Sequence, residues 1–416
     1  MKDLFDKVHE HMGPLGQYMD VAHNYFAFPK LEGPTGSRMN FNGREMVIWN
    51  INCYLGLEQL PEVREADAKA AEEYGLHYPM GARIMSGETD LHEQLERELA
   101  EFTQKEAAVL LNFGYQGIMS IVDVLLGRND VVVYDKENHA CIMDGIRMHT
   151  GPKYAYKHND TKHFLRRMEQ AKEQADKLGG GILVVTEGVF GMKGEQGNMK
   201  EILQYKEQYG FRIVVDDAHG FGTMGPTGAG ACEEQGIQDQ VDVYFSTFAK
   251  SMSGFGAFVS GDKYLMDFMR YNLRSQLFAK SLCMPMVVGA LKRLDIIRNR
   301  PEIRERLWKN VYALQNGLRD LGFDIGNPEA CVTPVYMKGT VGEAGALVKD
   351  LRETHGIFCS VVLPPMIPKG TILLRMIPTA THTEEDIQRT LDAFAAVRKK
   401  LEAGIFLEEG KAIADH

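Results

Sequence analysis

The sequence predicts an α/β fold, in which helices cover both faces of a mostly parallel β-sheet and a smaller α+β domain follows. Two observations predict the sheet. Short apolar strands alternate with helices through the middle of the chain, and polar side chains directly follow several of these strands, where parallel sheets bind ligands. A third observation predicts the smaller domain, because helix pairs mix with short strands after about Pro285.

The elements of the large domain follow from apolar spacing. Residues 1–45 predict a helix and then an extended arm with turns at Pro29, Gly33 and Gly43. Leucines at helical spacing predict a helix over residues 91–99. Further strands are predicted at residues 107–111, 130–134, 181–186, 213–215 and 241–245, and a further helix at residues 116–126.

The smaller domain is predicted to contain helices at residues 291–299, 301–318 and 342–355 and strands at residues 332–336 and 372–375. Thr383 is the expected N-cap of a last helix, because three acidic residues follow it in the first turn. We therefore expect three regions, an N-terminal helix and arm (1–45), a large domain (46–285) and a small C-terminal domain (286–416).

Composition narrows the class of protein. The net charge of −10 argues against a nucleic-acid binder that relies on neutralising phosphates. The six cysteines are scattered, which predicts neither a metal site nor a disulfide framework and suits a reducing cytoplasm. The start of the chain has no apolar signal-peptide core, and no apolar run reaches the ~18 residues of a membrane span. We expect a cytoplasmic protein.

The most informative feature is a lysine whose neighbours in the sequence could make it part of a cofactor site. The segment after the strand at 241–245 carries Thr247 and Lys250, and the strand at 212–215 leads into Asp216 and His219. This set suits pyridoxal phosphate (PLP), because the lysine can form a Schiff base and the aspartate can hold the protonated pyridine nitrogen. A hydroxyl and backbone amides can bind the phosphate. The alternative is an ordinary surface lysine.

Six short segments also occur in the order that one enzyme family shows. They are residues 52–57 (NCYLGL), 81–83 (GAR), 138–140 (NHA), 215–219 (VDDAH), 247–250 (TFAK) and 381–383 (THT). On these segments the chain resembles the α-oxoamine synthases over roughly residues 45–400. The resemblance implies the aminotransferase-like PLP-dependent transferase fold type I, and a homodimer with active sites at the subunit boundary.

The resemblance implies a role for each matching residue. Lys250 would carry the cofactor and move the Cα proton of the amino acid. Asp216, in preference to its neighbour Asp217, would face the pyridine nitrogen. His219 would bond the ring oxygen, and His139 would stack on the ring. The expected catalytic residues are Lys250, His139, Asp216 and His219; the other cofactor-binding residues are Gly114, Tyr115, Glu187, Thr247 and Ser281; the substrate-binding residues are Asn52, Arg375 and Lys280.

Two of these residues could instead have a purely structural role. His139 could be a satisfied core or surface histidine, and Arg375 could be a solvated arginine at a strand end. Two departures from the family also matter. Gly191 replaces a serine that the family often places near the ring oxygen. Lys280 adds a charge to the segment 278–282, which resembles a loop that reaches the partner subunit's phosphate, and Ser281 could supply the hydroxyl there.

The implied reaction is a decarboxylative condensation of an amino acid with an acyl thioester, which gives a 2-amino ketone. The chain looks closest overall to the serine palmitoyltransferase branch, but residues 78–87 depart from the Gly-Ser-Arg-Phe run of serine enzymes. That segment favours the cysteate fatty acyltransferase branch, which makes sulfonolipid precursors. L-cysteate is therefore the favoured substrate and L-serine the alternative.

The sequence is also compatible with other functions. Within enzymes, the chain could be a glycine C-acetyltransferase, an aminooxononanoate synthase or an ordinary aminotransferase. From another class, the fold could serve a non-catalytic binding protein, although such relatives typically lose the Schiff-base lysine, which this chain keeps. The expected acyl donor is a thioester, either of CoA or of an acyl carrier protein.

Overall fold

The computed structural model describes residues 3–10, 12–16, 18–362 and 370–414. These residues form two compact units, a first one within residues 1–51, 308–328 and 332–416 and a second one from residues 52–307 and 329–331. The domain limits expected after residues 45 and 285 remain a prediction. Within the described residues, no helix has the length and apolarity needed to cross a membrane.

The strands and helices are named in chain order. The strands are β1 Leu31–Glu32, β2 Arg38–Phe41, β3 Arg44–Ile48, β4 Ala107–Leu111, β5 Val131–Asp135, β6 Lys153–Tyr156, β7 Ile182–Glu187, β8 Val189–Phe190, β9 Glu195–Gln196, β10 Phe211–Asp216, β11 Val243–Thr247, β12 Ala257–Gly261, β13 Thr333–Lys338, β14 Ile357–Phe358, β15 Ser360–Val362 and β16 Thr371–Met376. The helices are α1 Asp6–Glu10, α2 Gly13–Gly16, α3 Met19–Ala22, α4 Pro61–Tyr74, α5 Asp90–Phe102, α6 Gly114–Leu125, α7 Ala140–Met148, α8 Thr161–Leu178, α9 Met199–Leu203, α10 Lys206–Tyr209, α11 Ala231–Glu234, α12 Lys263–Asn272, α13 Arg274–Leu277, α14 Met284–Asn299, α15 Pro301–Asp320, α16 Val341–Asp350, α17 Glu384–Glu402 and α18 Ile405–Ala414, with short turns of 3-10 helix at Leu57–Gln59 and Gln238–Gln240 and of π-helix at Leu351–His355.

The second unit is built on a seven-stranded sheet in the order β4-β12-β11-β10-β7-β5-β6. Neighbouring strands from β11 to β6 are parallel, and β12 runs antiparallel to both β11 and β4. The predicted, mostly parallel sheet is therefore confirmed. The sequence analysis missed β12 and β6, because neither shows a bounded run of large apolar residues.

Burial explains why these strands form. Val184 and Val185 are adjacent in β7, and successive side chains of a strand point to opposite faces, yet both are 0% exposed. Both faces are therefore covered, as parallel strands require. On one face Ile118 and Ile121 of α6 join the core around Val185 and Val214. Each such buried side chain contributes roughly 1.5–3 kcal/mol.

The first unit contains two smaller sheets, in the orders β1-β2-β3-β14 and β13-β16-β15. Its core surrounds Trp49, whose ring stacks on His382 at 3.9 Å between centroids. The predicted cap of α17 is confirmed, because the Thr383 hydroxyl accepts from the Asp386 backbone N–H and the Asp386 carboxylate accepts from the Thr383 backbone N–H.

The N-terminal segment differs from its prediction in detail. The expected single helix is three short helices, α1 to α3, within the described residues. The expected extended arm is confirmed as paired strands, since β2 and β3 form an antiparallel hairpin whose turn lies at residues 42–43.

Candidate active site

The carboxyl ends of three adjacent strands bring the predicted site residues of the second unit together. Asp216 is the last residue of β10 and lies in register with Glu187, the last residue of β7. On the other side of β10, β11 ends at Thr247. Because the three strands are parallel, these side chains meet at one edge of the sheet, as the sequence analysis expected.

Lys250 lies on the connection between β11 and the antiparallel strand β12. This connection is short and internally bonded, since the Ser253 N–H donates to the Lys250 carbonyl at 2.8 Å and the Phe248 N–H donates to the Gly256 carbonyl at 2.9 Å. The Lys250 side chain is half-buried. Burial raises the pKa values of Asp216 and Glu187, and the positive charge of Lys250 opposes this rise at both.

The two carboxylates are buried and lie close to each other. Burial raises the pKa of Asp216, against the opposing effects of Lys250 and of an Ala218 N–H that donates to Asp216 Oδ1 at 3.0 Å. Burial and the neighbouring Asp216 raise the pKa of Glu187 well above its ordinary value. One lysine therefore does not fully offset two buried carboxylates, and a second cationic group would be stabilised here.

His139 is tied to this pair through its backbone. The His139 N–H donates to Glu187 Oε1, and His139 is the N-cap of α7. Its ring is exposed and meets the edge of the Tyr115 ring at 6.2 Å between centroids. Glu187, which the sequence analysis counts among the cofactor-binding residues, thus binds the backbone that carries His139.

His219 is held by a residue that the sequence analysis did not single out. The Tyr54 hydroxyl lies 2.7 Å from His219 Nδ1, and Tyr54 is fully buried. Gly191 packs against the other side of the ring, since a Cβ on Gly191 would lie 2.0 Å from His219 Nε2. Tyr54 belongs to the NCYLGL segment, so its position in that landmark was the available signal.

Gly191→Ala is expected to displace His219, because its methyl group would occupy the place of the imidazole. We expect kcat to fall about 10-fold or more through the misplaced ring, with a changed absorbance spectrum of the bound cofactor. Gly181→Ala is the control, because its Cβ meets its nearest atom at an ordinary 3.6 Å. Equal kcat and spectra for Gly191→Ala and wild type would contradict this assignment.

A narrow gap lies between the N-terminus of α6 and β11. An ideal Cβ on Gly114 would lie 3.0 Å from Thr247 Oγ1, so a side chain there would close the gap. The Thr247 hydroxyl donates to the Gly256 carbonyl at 3.1 Å and accepts from the Ala249 N–H at 3.2 Å. Free amides at a helix start beside a hydroxyl form a cradle for a phosphate. The Tyr115 hydroxyl donates to Asp144, and the cofactor role of Tyr115 remains a prediction.

Lys280 and Ser281 lie beside the residues that lead into α6. Asn112 Nδ2 donates to the Lys280 carbonyl at 2.5 Å, and the Lys280 side chain is exposed. The Ser281 hydroxyl is buried and donates to the Gly87 carbonyl at 2.8 Å, within its own chain. The cofactor role of Ser281 and the substrate role of Lys280 remain predictions.

Asn52 and Arg375 belong to different units. Asn52 begins the second unit and is half-buried. Arg375 lies in β16, in register with Pro334 on one side and Ser360 on the other, and is also half-buried. Their proposed roles in binding the amino acid remain predictions.

The described site fits PLP on three counts. Lys250 supplies an amine beside Asp216, the two buried carboxylates favour a cation such as a protonated pyridine nitrogen, and the gap at Gly114 suits a phosphate. Lys250 would bear the cofactor, Asp216 would meet its ring nitrogen, and Thr247 with the start of α6 would hold its phosphate.

Asp217, next to Asp216, has a different environment. Its Oδ2 accepts from the Ala231 N–H at 2.7 Å and from the Tyr244 hydroxyl at 3.0 Å, and within the described residues no group bonds its Oδ1. Burial raises its pKa from 3.8 to about 7. This carboxyl group therefore holds Ala231 and Tyr244 in place.

The raised pKa of Asp217 predicts a pH-dependent stability. Between pH ~4 and ~7 the folded chain holds a proton at Asp217 that the unfolded chain releases, so the free energy of unfolding falls as pH rises. At about 1.4 kcal/mol per pH unit, this amounts to roughly 4 kcal/mol across the window. Asp217→Asn is uncharged at every pH and should flatten this decline in chemical denaturation. Parallel stability curves for variant and wild type would contradict the prediction.

Comparisons with known proteins agree with this geometry. The model of the family "Aminotransferase class I and II" matches residues 44–394. The cysteate-C-fatty acyltransferase of Capnocytophaga ochracea is 58% identical over 406 residues, which cover 98% of this chain and 97% of that protein. The serine palmitoyltransferase of Bacteriovorax stolpii is 34% identical, with 90% and 88% covered.

A solved structure extends the agreement to the whole fold. It is a serine palmitoyltransferase from S. paucimobilis with a bound PLP–myriocin aldimine, and it matches with a TM-score of 0.88 and 27% identity, covering 97% of this chain and all of that one. The buried carboxylates, the adjacent amine and the phosphate cradle thus occur in a chain that is similar to PLP enzymes over nearly its full length. The chain belongs to the aminotransferase class I and II family and, within it, to the PLP-dependent α-oxoamine synthases, whose members are acyltransferases.

Proposed function

We propose that this enzyme condenses L-cysteate with a long-chain fatty acyl thioester, releasing carbon dioxide and the thiol and giving a 2-amino ketone precursor of a sulfonolipid. The observation that carries the proposal is the difference in identity between two relatives. The chain is 58% identical to a cysteate-C-fatty acyltransferase and 34% identical to a serine palmitoyltransferase, over similar shares of its length. The departure at residues 78–87 favours the same substrate.

The residues of the site have separate tasks in this reaction. PLP, when bound, supplies the electron sink for the pair left at the amino-acid Cα. The Lys250 amine takes the Cα proton and later returns one. Asp216, which is buried, would keep the pyridine nitrogen of the bound cofactor protonated. His219, which the Tyr54 hydroxyl contacts at Nδ1, would bond the oxygen on the cofactor ring, and His139 would cover the face of that ring.

Lys280 is the proposed residue that distinguishes cysteate from serine. A sulfonate carries a full negative charge, whereas the serine hydroxyl is neutral, so the exposed ammonium of Lys280, whose backbone lies near the phosphate cradle, favours cysteate. The Asn112 side chain holds the backbone of Lys280 in place beside that cradle. Serine as the preferred substrate, with Lys280 serving the phosphate instead, is the second candidate function.

We further propose a cytoplasmic homodimer. The resemblance on residues 278–282 supports a loop that approaches the partner subunit. The acyl donor is a thioester of CoA or of acyl carrier protein. Palmitoyl-CoA and palmitoyl-loaded acyl carrier protein offered at equal concentration would separate the two.

A substrate panel tests the function. Glycine, alanine, serine and cysteate are each offered with acetyl or palmitoyl thioesters, and free thiol and carbon dioxide are measured. We expect cysteate with palmitoyl thioester to give the highest kcat/KM. Amino transfer to a keto acid without thiol release would refute the condensation, and a preference for glycine with acetyl-CoA would refute the lipid substrate.

Lys280→Ala tests the basis of the preference. We expect the KM for cysteate to rise about 10-fold, since a lost contact to a charged group costs roughly 1.5 kcal/mol, and the KM for serine to change little. Lys263→Ala is the matched control, because Lys263 is an exposed lysine that pairs with Asp267 on α12. An equal KM change for both amino acids would assign Lys280 to the phosphate.

A further inference from the structure

The ring of His139 receives two contacts from a single residue, Cys141. The Cys141 backbone N–H donates to His139 Nδ1 at 3.3 Å, and Cys141 Sγ lies 2.8 Å from the same nitrogen. Both contacts occur at the first turn of α7, where His139 is the N-cap. Cys141 is 5% exposed, so its thiol is shielded from solvent where it contacts Nδ1.

The backbone contact decides which nitrogen of His139 bears the proton. A backbone N–H can only donate, so Nδ1 must present its lone pair to Cys141. The proton of the neutral imidazole then resides on Nε2. Protonation of Nδ1 would place two donors against each other and break the helix cap.

The thiol acts in the same direction as the backbone. Burial and the nearby Asp216 and Glu187 raise the pKa of the Cys141 thiol, so it keeps its proton at neutral pH. A protonated thiol is a weak donor, and the lone pair on Nδ1 is its acceptor. Two donors from Cys141 therefore converge on one nitrogen of His139.

Other contacts fix the remaining freedom of the ring. The His139 backbone N–H is bound to Glu187, and the Tyr115 ring lies against the imidazole at an interplanar angle of 75°. Cys141 thus limits rotation about the side-chain bonds of His139 while its neighbours hold the backbone. Few orientations of the imidazole satisfy all of these contacts.

We propose that Cys141 is a positioning residue, which holds the His139 ring with Nδ1 as acceptor and presents the Nε2–H toward the bound cofactor and amino acid. The tautomer and orientation of the His139 imidazole follow from this chain alone, whereas their effect on catalysis rests on the proposed function. A plain packing role is the alternative, since Cys141 also lies in the apolar core with Ile142 and Ile146.

The first experiment measures the imidazole directly. The full chain is labelled with ¹⁵N-histidine, and the His139 signals are assigned by their loss in His139→Gln. In wild type without PLP we expect a shift typical of an unprotonated Nδ1 and a protonated Nε2. In Cys141→Ala we expect Nε2 to keep the proton, because the backbone N–H still donates to Nδ1, and the Nδ1 shift to change, because the thiol donor is gone. Cys141→Ser should restore the wild-type pattern, since its hydroxyl donates to the same nitrogen.

The second experiment measures the holoenzyme. We expect Cys141→Ala to lower kcat about 10-fold with a smaller change in the KM for the amino acid, and to change the visible circular dichroism of the bound cofactor. Cys141→Ser should recover most of both. Cys359→Ala is the matched control, because Cys359 is equally buried but belongs to the first unit.

The outcomes distinguish a failure of the positioning role of Cys141 from a failure of the proposed function. An unchanged Nδ1 shift and unchanged dichroism in Cys141→Ala would overturn the positioning role and leave packing. The expected ¹⁵N result in a protein that condenses no amino acid of the panel would uphold the ring geometry and refute the proposed function. Equal losses in Cys141→Ala and Cys141→Ser, with a native ¹⁵N pattern in both, would also overturn the inference.

Discussion

A Lys250→Ala variant is expected to fold, to bind PLP without a covalent bond, and to lose roughly 10³-fold or more of kcat. The amine is needed twice, once to hold the cofactor and once to move the Cα proton, and methyl can do neither. The fold should survive, because Lys250 is half-buried and the loop that carries it is fixed by backbone hydrogen bonds.

Borohydride reduction followed by mass spectrometry measures the covalent bond. Wild type should retain the cofactor mass on a peptide that contains Lys250, and Lys250→Ala should retain none. Lys263→Ala, at an exposed lysine of α12, is the control for a lost lysine. Cofactor trapped at another lysine in wild type would overturn the assignment of the site.

Lys250→Arg separates the charge of the lysine from its nucleophilicity. Arginine keeps a cation beside Asp216 and Glu187 but is not deprotonated in proteins, so it should be nearly as inactive as alanine. In Lys250→Ala the pKa values of both carboxyl groups should rise further, because their neighbouring cation is gone. Above the unfolded-state pKa values the alanine variant should therefore lose stability over a wider range of rising pH than the arginine variant.

Asp216→Asn is expected to lower kcat by roughly 10³-fold with the fold intact, because an amide cannot keep the pyridine nitrogen protonated. The asparagine oxygen can still accept from the Ala218 N–H, so the local backbone should stay in place. Removing the charge of Asp216 also removes one cause of the raised pKa of Glu187. The measurement is kcat with the preferred amino acid and thioester, together with the cofactor absorbance.

The neighbouring carboxylate offers a matched control. Asp217 is equally buried and one residue away, but its Oδ2 is bonded to Ala231 and Tyr244. Asp217→Asn should therefore keep kcat within a few-fold of wild type while changing stability. If Asp217→Asn lost more activity than Asp216→Asn, the two aspartates would have to exchange their assignments.

Much of the site could be predicted from residues that follow strands. Asp216, Thr247 and Lys250 were identified because a buried strand precedes each of them, and the structure places them at one edge of the sheet. The contacts of Tyr54 with His219 could not be predicted, because they join residues far apart in sequence through a hydrogen bond that no local pattern encodes. The need for glycine at position 191 depends on the same distant imidazole.

Parts of the fold could not be predicted from the sequence, for related reasons. β12 pairs with both β11 and β4, and its identity as a strand follows from these partners more than from its own residues. The predicted helix at 342–355 proved to be an α-helix that continues into π-helical turns at Leu351–His355, a change of hydrogen bonding that apolar spacing does not register. Strongly periodic segments such as α5 were confirmed nearly to their ends.

The return of the chain from β11 into antiparallel β12 has an engineering consequence. Thr247 pairs with Ala257 across the hairpin. The loop between these two residues, here called the tether, carries the Lys250 amine, and strand pairing therefore sets its length. Residues inserted between these two positions would have to bulge outward or slip the register, and either change would move the amine away from the carboxylates. Tags, cleavage sites or domain fusions should avoid this hairpin, whereas a graft elsewhere on the surface leaves the tether untouched.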